Sequence, residues 1–234
     1  MNYVLIYAAG VGERFGSDIP KQFVEVNGKP LLGHVLDSFE QHSQIDAVLC
    51  VCAEDKQKTI WDYTEKFDIK KLKWLVVGGE TGHESINNGI TFLRNICQPK
   101  DRIILVGGNR PLIDHDVITE LLEEIKDGEA IVLGEKLPLS VMKVDDNNYA
   151  SHNYGRASLY MMHAPVSGYF SVFEQAYLQW VNMKKKQVSC VQEFLFELGV
   201  PLYVKLNKRS NLKVTFEEDI SLVQFFMDKK LYQG

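Results

Sequence analysis

The sequence predicts an α/β fold with a mostly parallel sheet flanked by helices. Three observations lead there. Short apolar runs alternate with amphipathic stretches five times between residues 3 and 135, the pattern of strand–helix units. The segments of most interest, 8–23, 78–85 and 106–111, each follow one of those apolar runs directly, so all three can line one crevice at the carboxyl ends of the strands. The rhythm then breaks between Leu137 and Phe170, where β-rich stretches flank a polar cluster. With 234 residues, the chain reads as one domain over 1–234, long enough to bury a full core.

Each element follows from local pattern. Tyr3–Tyr7 (YVLIY) is short, apolar and β-rich, as a buried strand is. Leu31, Leu32, Val35, Leu36 and Phe39 recur at helical spacing behind Pro30. Ala47–Ala53 reads as a second buried strand, residues 57–67 as a helix, and Lys73–Gly79 as a third strand ending in glycines. In the next helix, 84–96, Ile86, Ile90 and Leu93 share a face. A fourth strand runs from Asp101 into the loop before Ile113. Asp114 or Asp116 is the expected N-cap of the helix that follows, with Gly128 past its end. Ala130–Glu135 is the fifth strand.

Residues 137–170 read as strand, turn, strand, with the turn at Asp145-Asp146-Asn147-Asn148. This predicts a β-hairpin arm protruding from the domain. Helices over 171–185 and 189–199, a strand over 201–206 and a closing helix from Thr215 complete the chain, Thr215 and Glu218 forming an expected capping box. Trp61, Trp74 and Trp180 fall in periodic apolar segments and read as core.

Bulk properties exclude some functions. A net charge of -5 argues against a dedicated nucleic-acid binder. No apolar run reaches the ~18 residues of a spanning helix, so no membrane partner is expected. Met1-Asn2 leads straight into the first strand, so no signal segment is expected. The expected location is cytoplasmic, with Cys50, Cys52, Cys97 and Cys190 as buried free thiols.

The stretch Ala8–Phe23 (AAGVGERFGSDIPKQF) carries the chemistry. Small residues and glycines leave the backbone open to close approach, and Arg14 and Lys21 supply two cations. Main-chain N–H groups can cradle a phosphate chain whose charge the cations neutralise. A dinucleotide fingerprint fails, because Phe15 stands where the third glycine is needed.

Taken in order, Ala8-Ala9-Gly10-Val11-Gly12-Glu13-Arg14-Phe15-Gly16, Pro20-Lys21-Gln22-Phe23, Gly28-Lys29-Pro30-Leu31, Gly78-Gly79 with Ser85 and Gly89, Arg110-Pro111-Leu112, Arg156 with Tyr160 and Pro165, and Asn211-Leu212-Lys213-Val214-Thr215 span nearly the whole chain. This set resembles the cytidylyltransferases of the methylerythritol-phosphate and ribitol-phosphate type. The resemblance implies a Rossmann-like sheet of nucleotidyltransferase type. It implies attack of a small phosphate monoester on the α-phosphorus of CTP, with release of pyrophosphate. Arg14, Lys21 and Lys213 would be catalytic. Ala8, Ala9, Gly10, Gly12, Gly79, Ser85 and Arg110 would bind nucleotide. Arg156, Lys213 and Ser140 would hold the acceptor. Mg²⁺ or another divalent cation would come largely with the nucleotide, its protein ligands unknown. The 137–170 arm would make a homodimer and carry Arg156 into the partner subunit's site.

The chain also departs from the family pattern. A His-Asp-Ala-x-Arg-Pro loop is replaced by Val106-Gly107-Gly108-Asn109-Arg110-Pro111, with Gly107 at the metal-binding carboxylate. His83 stands for an Arg. Ser140-Val141 stands for Asp-Thr, His163-Ala164-Pro165-Val166 for Gln-Thr-Pro-Gln, and Val188-Ser189 for Thr-Asp. Two readings follow: an active transferase with an altered metal shell, or a nucleotide-binding homologue with impaired catalysis.

Overall fold

The computed structural model describes residues 1–10, 15–16, 19–182, 190–207 and 211–231. The chain folds through β1 (Asn2–Tyr7), a short hairpin of β2 (Glu25–Val26) and β3 (Lys29–Pro30), α1 (Leu31–Glu40), β4 (Ala47–Cys52), α2 (Gln57–Lys66) and β5 (Leu72–Val77). It continues through α3 (Gly82–Leu93), β6 (Arg102–Gly107), α4 (His115–Glu123) and β7 (Ala130–Lys136). The rest is β8 (Met142–Val144), β9 (Ala150–Asn153), β10 (Tyr160–Tyr169), α5 (Phe170–Asn182), α6 (Val191–Glu197), β11 (Leu202–Leu206) and α7 (Asp219–Asp228).

Seven strands form the main sheet in the order β11-β7-β10-β6-β1-β4-β5. Among the described strands of this sheet only β10 runs against its neighbours, pairing antiparallel with both β6 and β7. On β1, Val4 and Ile6 enter one apolar cluster with α1 and α4, while Tyr3 and Leu5 enter the opposite one with α3 and α5. That alternation is the period of two expected of a strand covered on both faces. The chain leaves β1 for β4 on one side and reaches β6 on the other. A crevice therefore opens above the end of β1, at the switch in strand order.

Several expectations are corrected. Of the 137–170 segment, only β8 and β9 form a separate hairpin, and every residue from Met142 to Ser158 is exposed. Residues 160–169 are instead an interior strand of the main sheet, because its apolar half, Ala164–Gly168, is buried between β6 and β7. Thr215 does not cap the last helix. The Asp219 carboxylate accepts from the backbone N–H groups of Thr215 (2.7 Å) and Phe216 (2.9 Å) instead. Asp114 occupies the N-cap position of α4, although its side chain makes no capping hydrogen bond there. Trp61 is 39% exposed, since α2 turns only Ile60 and Thr64 fully inward. Cys190 is exposed at the start of α6, whereas the other three cysteines are buried free thiols. Among the described residues no helix is long and apolar enough to cross a membrane.

Candidate active site

The crevice is built by three loops. After β1, Ala8 is held by its N–H to the Val51 carbonyl at 2.7 Å. The 3-10 turn Lys21–Phe23 lies beside it, and the buried Gln22 side-chain amide donates to the carbonyls of Ala8 (2.7 Å) and Gly10 (3.0 Å). One residue thus fixes the glycine loop and sets the turn that bears Lys21. Sequence reasoning passed over Gln22, since its role depends on which carbonyls it meets.

After β5, Gly78 and Gly79 turn into α3. A Cβ on Gly78 would fall 2.3 Å from the Ala9 Cβ, so only glycine lets this loop touch the first. The Gly79 N–H donates to Ser85 Oγ at 3.1 Å, and Ser85 Oγ donates to the Thr81 carbonyl at 3.0 Å. Ser85 is buried and pins the loop from below. Thr81 and Glu84 form a reciprocal capping box at the start of α3.

After β6, the Gly108 N–H donates to the Tyr7 carbonyl at 3.0 Å. A Cβ on Gly107 would meet Asn109 Oδ1 at 2.7 Å and the Tyr7 ring at 3.3 Å, so no acidic side chain fits there without displacing them. The C-terminal segment is stitched to this loop. Asn109 Nδ2 donates to the Val214 carbonyl at 2.7 Å, and Arg110 Nη1 donates to the Asn211 carbonyl at 3.0 Å. Asn211 Nδ2 in turn donates to the Ala164 carbonyl at 2.8 Å. These bonds bring Lys213 over the crevice.

Two cavities result. One of about 160 Å³ is lined by Tyr7, Ala8, Gly10, Lys21, Gln22, Gly108, Asn109 and Lys213. A second, of about 400 Å³, is walled by Arg110, His83, His163, Gln192, Met161 and Cys190, with Tyr7, Asn109 and Lys213 again at its edge. A larger hollow near Phe15, Phe23 and Tyr63 is lined by none of the expected site residues that the structure describes.

Electrostatics favour an anion. Arg110 is buried, and no carboxylate among the described residues pairs with its guanidinium. Burial lowers its pKa to about 10, a shift that the Tyr7 phenol opposes. An unneutralised buried cation is costly, and an anionic ligand would relieve that cost. Burial also pushes the His163 pKa down, helped by the Arg110 charge and opposed by Glu135, whose carboxylate stands 3.7 Å from His163 Nε2, an atom with no hydrogen bond among the described residues. His83 packs against Tyr177, Trp180 and Phe194, with Nδ1 3.2 Å from the Tyr177 hydroxyl, and burial lowers its pKa too.

No carboxylate of a described residue lines either cavity, and among the described residues no three His, Cys, Asp or Glu side chains are grouped to hold a metal ion. These residues do not fit a divalent cation held by the protein itself.

Of the sequence-predicted residues, the fold brings Ala8, Gly10, Lys21 and Lys213 to one cavity and Arg110 to the adjoining one. Ala9, Gly79 and Ser85 support the loops without lining either cavity. Arg156 and Ser140 are exposed on the arm, Arg156 Nη1 donating to the Pro138 carbonyl at 3.0 Å. Gly12, Arg14, Val188 and Ser189 lie outside the described residues.

Comparison with known proteins bears on the chemistry. The family model for IspD, 2-C-methyl-D-erythritol 4-phosphate cytidylyltransferase, matches residues 2–229. A ribitol-5-phosphate cytidylyltransferase of Lacticaseibacillus paracasei is 31% identical over 232 residues, 97% of each chain. Another, from Streptococcus agalactiae serotype Ia, is 34% identical over 100% of this chain and 96% of its own. A 2-C-methyl-D-erythritol 4-phosphate cytidylyltransferase of Clostridium botulinum strain 657 is 27% identical over 97% of this chain and 98% of its own. In three dimensions, the 4-diphosphocytidyl-2C-methyl-D-erythritol synthase of Anaerococcus prevotii superposes with a TM-score of 0.80 at 22% identity, over 97% of this chain and 96% of that one, a likeness of fold.

Proposed function

The chain belongs to the 2-C-methyl-D-erythritol 4-phosphate cytidylyltransferase family, and from that membership we propose that it transfers CMP from CTP to ribitol 5-phosphate. The observation that carries the reaction is the pair of joined cavities, with cations at both ends and Lys213 between them. The choice of acceptor is supported by the relatives named for ribitol 5-phosphate, which are 31% and 34% identical to this chain, against 27% for the methylerythritol-phosphate relative.

In this reading, an oxygen of the acceptor phosphate attacks the α-phosphorus of CTP. A new P–O bond forms, the bond to the bridging α–β oxygen breaks, and pyrophosphate departs. Charge accumulates at the α-phosphorus and on the leaving group, so positioning and fixed positive charge are the main needs. Lys21 and Lys213 supply that charge beside the glycine loop, and Arg14 would add to it. The backbone after β1 receives the triphosphate. Arg110, buried and paired with no carboxylate among the described residues, faces the acceptor side, an assignment different from the nucleotide role expected of it. Mg²⁺ would travel with the triphosphate, since no carboxylate of a described residue lines either cavity. The arm would form a homodimer and deliver Arg156 and Ser140 to the acceptor phosphate of the neighbouring site.

The test is a pyrophosphate-release screen with the four nucleoside triphosphates, Mg²⁺ or Mn²⁺, and a panel of phosphate monoesters. CTP with ribitol 5-phosphate is the expected pair. Turnover with methylerythritol phosphate alone would replace the acceptor. CTP binding without any turnover would leave the impaired, nucleotide-binding reading.

A further inference from the structure

Three residues, Tyr7, Asn109 and Lys213, line both cavities. In a transfer between two bound substrates, the reacting groups meet where their cavities join. Asn109 is already committed there, its side-chain amide and its carbonyl both bonded to Val214. Lys213 is the cation of the junction. Tyr7 is the third wall, and the proposed reaction gives it no role.

Its position is firmly set. As the last residue of β1, Tyr7 pairs with Val51 of β4 and Gly107 of β6. Its ring edge lies against Gly107, where even a single added carbon would come within 3.3 Å. The ring is half-buried, and its hydroxyl makes no hydrogen bond to any described residue. Burial raises the phenol pKa and Arg110 only partly opposes this, so the group stays protonated and can donate. A donor of this kind beside a buried guanidinium that pairs with no described carboxylate suits a phosphate oxygen.

We infer that Tyr7 is a substrate-contacting residue, whose hydroxyl donates a hydrogen bond to the phosphate of the incoming monoester where the two cavities meet. The inference rests on the transferase reading above. Together with Lys213, Tyr7 would hold that phosphate within reach of the nucleotide.

Tyr7→Phe removes one oxygen and keeps the ring that packs on Gly107. A lost hydrogen bond to a charged partner should lower kcat/KM for ribitol 5-phosphate by ~10–100-fold, with the KM for CTP and the Tm nearly unchanged. Calorimetric titration of ribitol 5-phosphate, and separately of methylerythritol phosphate, into wild type and Tyr7→Phe gives a second readout that needs no turnover. Weaker monoester binding in the variant is expected. Unchanged acceptor KM and affinity would overturn the inference. So would an equal loss for CTP and acceptor, which would assign Tyr7 to the scaffold. A wild type that binds a monoester in a Tyr7-dependent way without turning it over rejects the transferase reading and leaves the contact standing. A wild type that neither binds nor converts either monoester overturns both.

Discussion

Lys21 and Gln22 are adjacent in sequence and opposite in role. The Lys21 side chain lines the smaller cavity, while Gln22 points inward to hold the carbonyls of Ala8 and Gly10. If Lys21 stabilises charge at the α-phosphorus, Lys21→Ala should lower kcat ~10²-fold or more and disturb the KM for CTP far less. Steady-state kinetics on the proposed ribitol 5-phosphate reaction measures this, and a variant within about twofold of wild type would remove Lys21 from the mechanism. Gln22→Leu should act differently. It leaves two carbonyls without their partner and frees the loop, so both Tm and kcat/KM for CTP should fall, the latter ~10-fold. A loss of stability with unchanged kinetics would confine Gln22 to folding.

At the scale of elements, the start of α3 connects stability to the site. Thr81 Oγ1 accepts from the Glu84 N–H at 3.1 Å, and Glu84 Oε2 accepts from the Thr81 N–H at 3.3 Å. The same turn fixes Ser85 under Gly79. Thr81→Ala should cost ~1 kcal/mol, or ~2–4 °C in Tm for a chain of this size, readable by thermal melting. Gly78→Ala should be worse, because its Cβ would overlap Ala9 and push the two loops apart. An unchanged KM for CTP in Gly78→Ala would show that the loops need not touch. β10 is the other decisive element. Inserted antiparallel between β6 and β7, it places His163 and Ala164 in the wall of the 400 Å³ cavity.

For the whole molecule, the exposed β8–β9 hairpin carries Met142, Val144 and Tyr149, each more than half exposed. A two-stranded arm is marginal in water alone, so a reciprocal dimer contact is the proposed way to order it. Sedimentation at low micromolar concentration should give a dimer. Mixing Arg156→Ala with Lys21→Ala subunits should restore some activity, since one site of each hybrid keeps both residues; hybrids as inactive as their parents would argue against shared sites. Acid should destabilise the fold. Burial lowers the pKa values of His34, His42, His83 and His163 in the folded chain. The unfolded chain therefore binds more protons below the ordinary histidine value near 6.5, and stability rises with pH through that window. Melting curves should show Tm falling as pH drops from above 6.5 towards the lowered folded values. A flat profile would mean that the buried rings accept protons without cost.

The sequence alone determined the α/β class, the strand that precedes each site loop, and the order of the motifs from Ala8 to Thr215. Those features rest on local periodicity and on residue types that tolerate few backbone states. It left open where the middle of the chain goes: 160–169 has the same β-rich look whether it projects or enters a sheet. Only the tertiary structure decided that, because burial between β6 and β7 depends on partners distant in sequence. Gln22 and Tyr7 belong to the same class of fact. Both lie in plain view beside the glycine loop, but a side chain's role here is set by what it faces across the crevice. That facing comes from Gly107, Asn109 and Lys213, which are brought to β1 by the sheet and by the C-terminal segment folded over it.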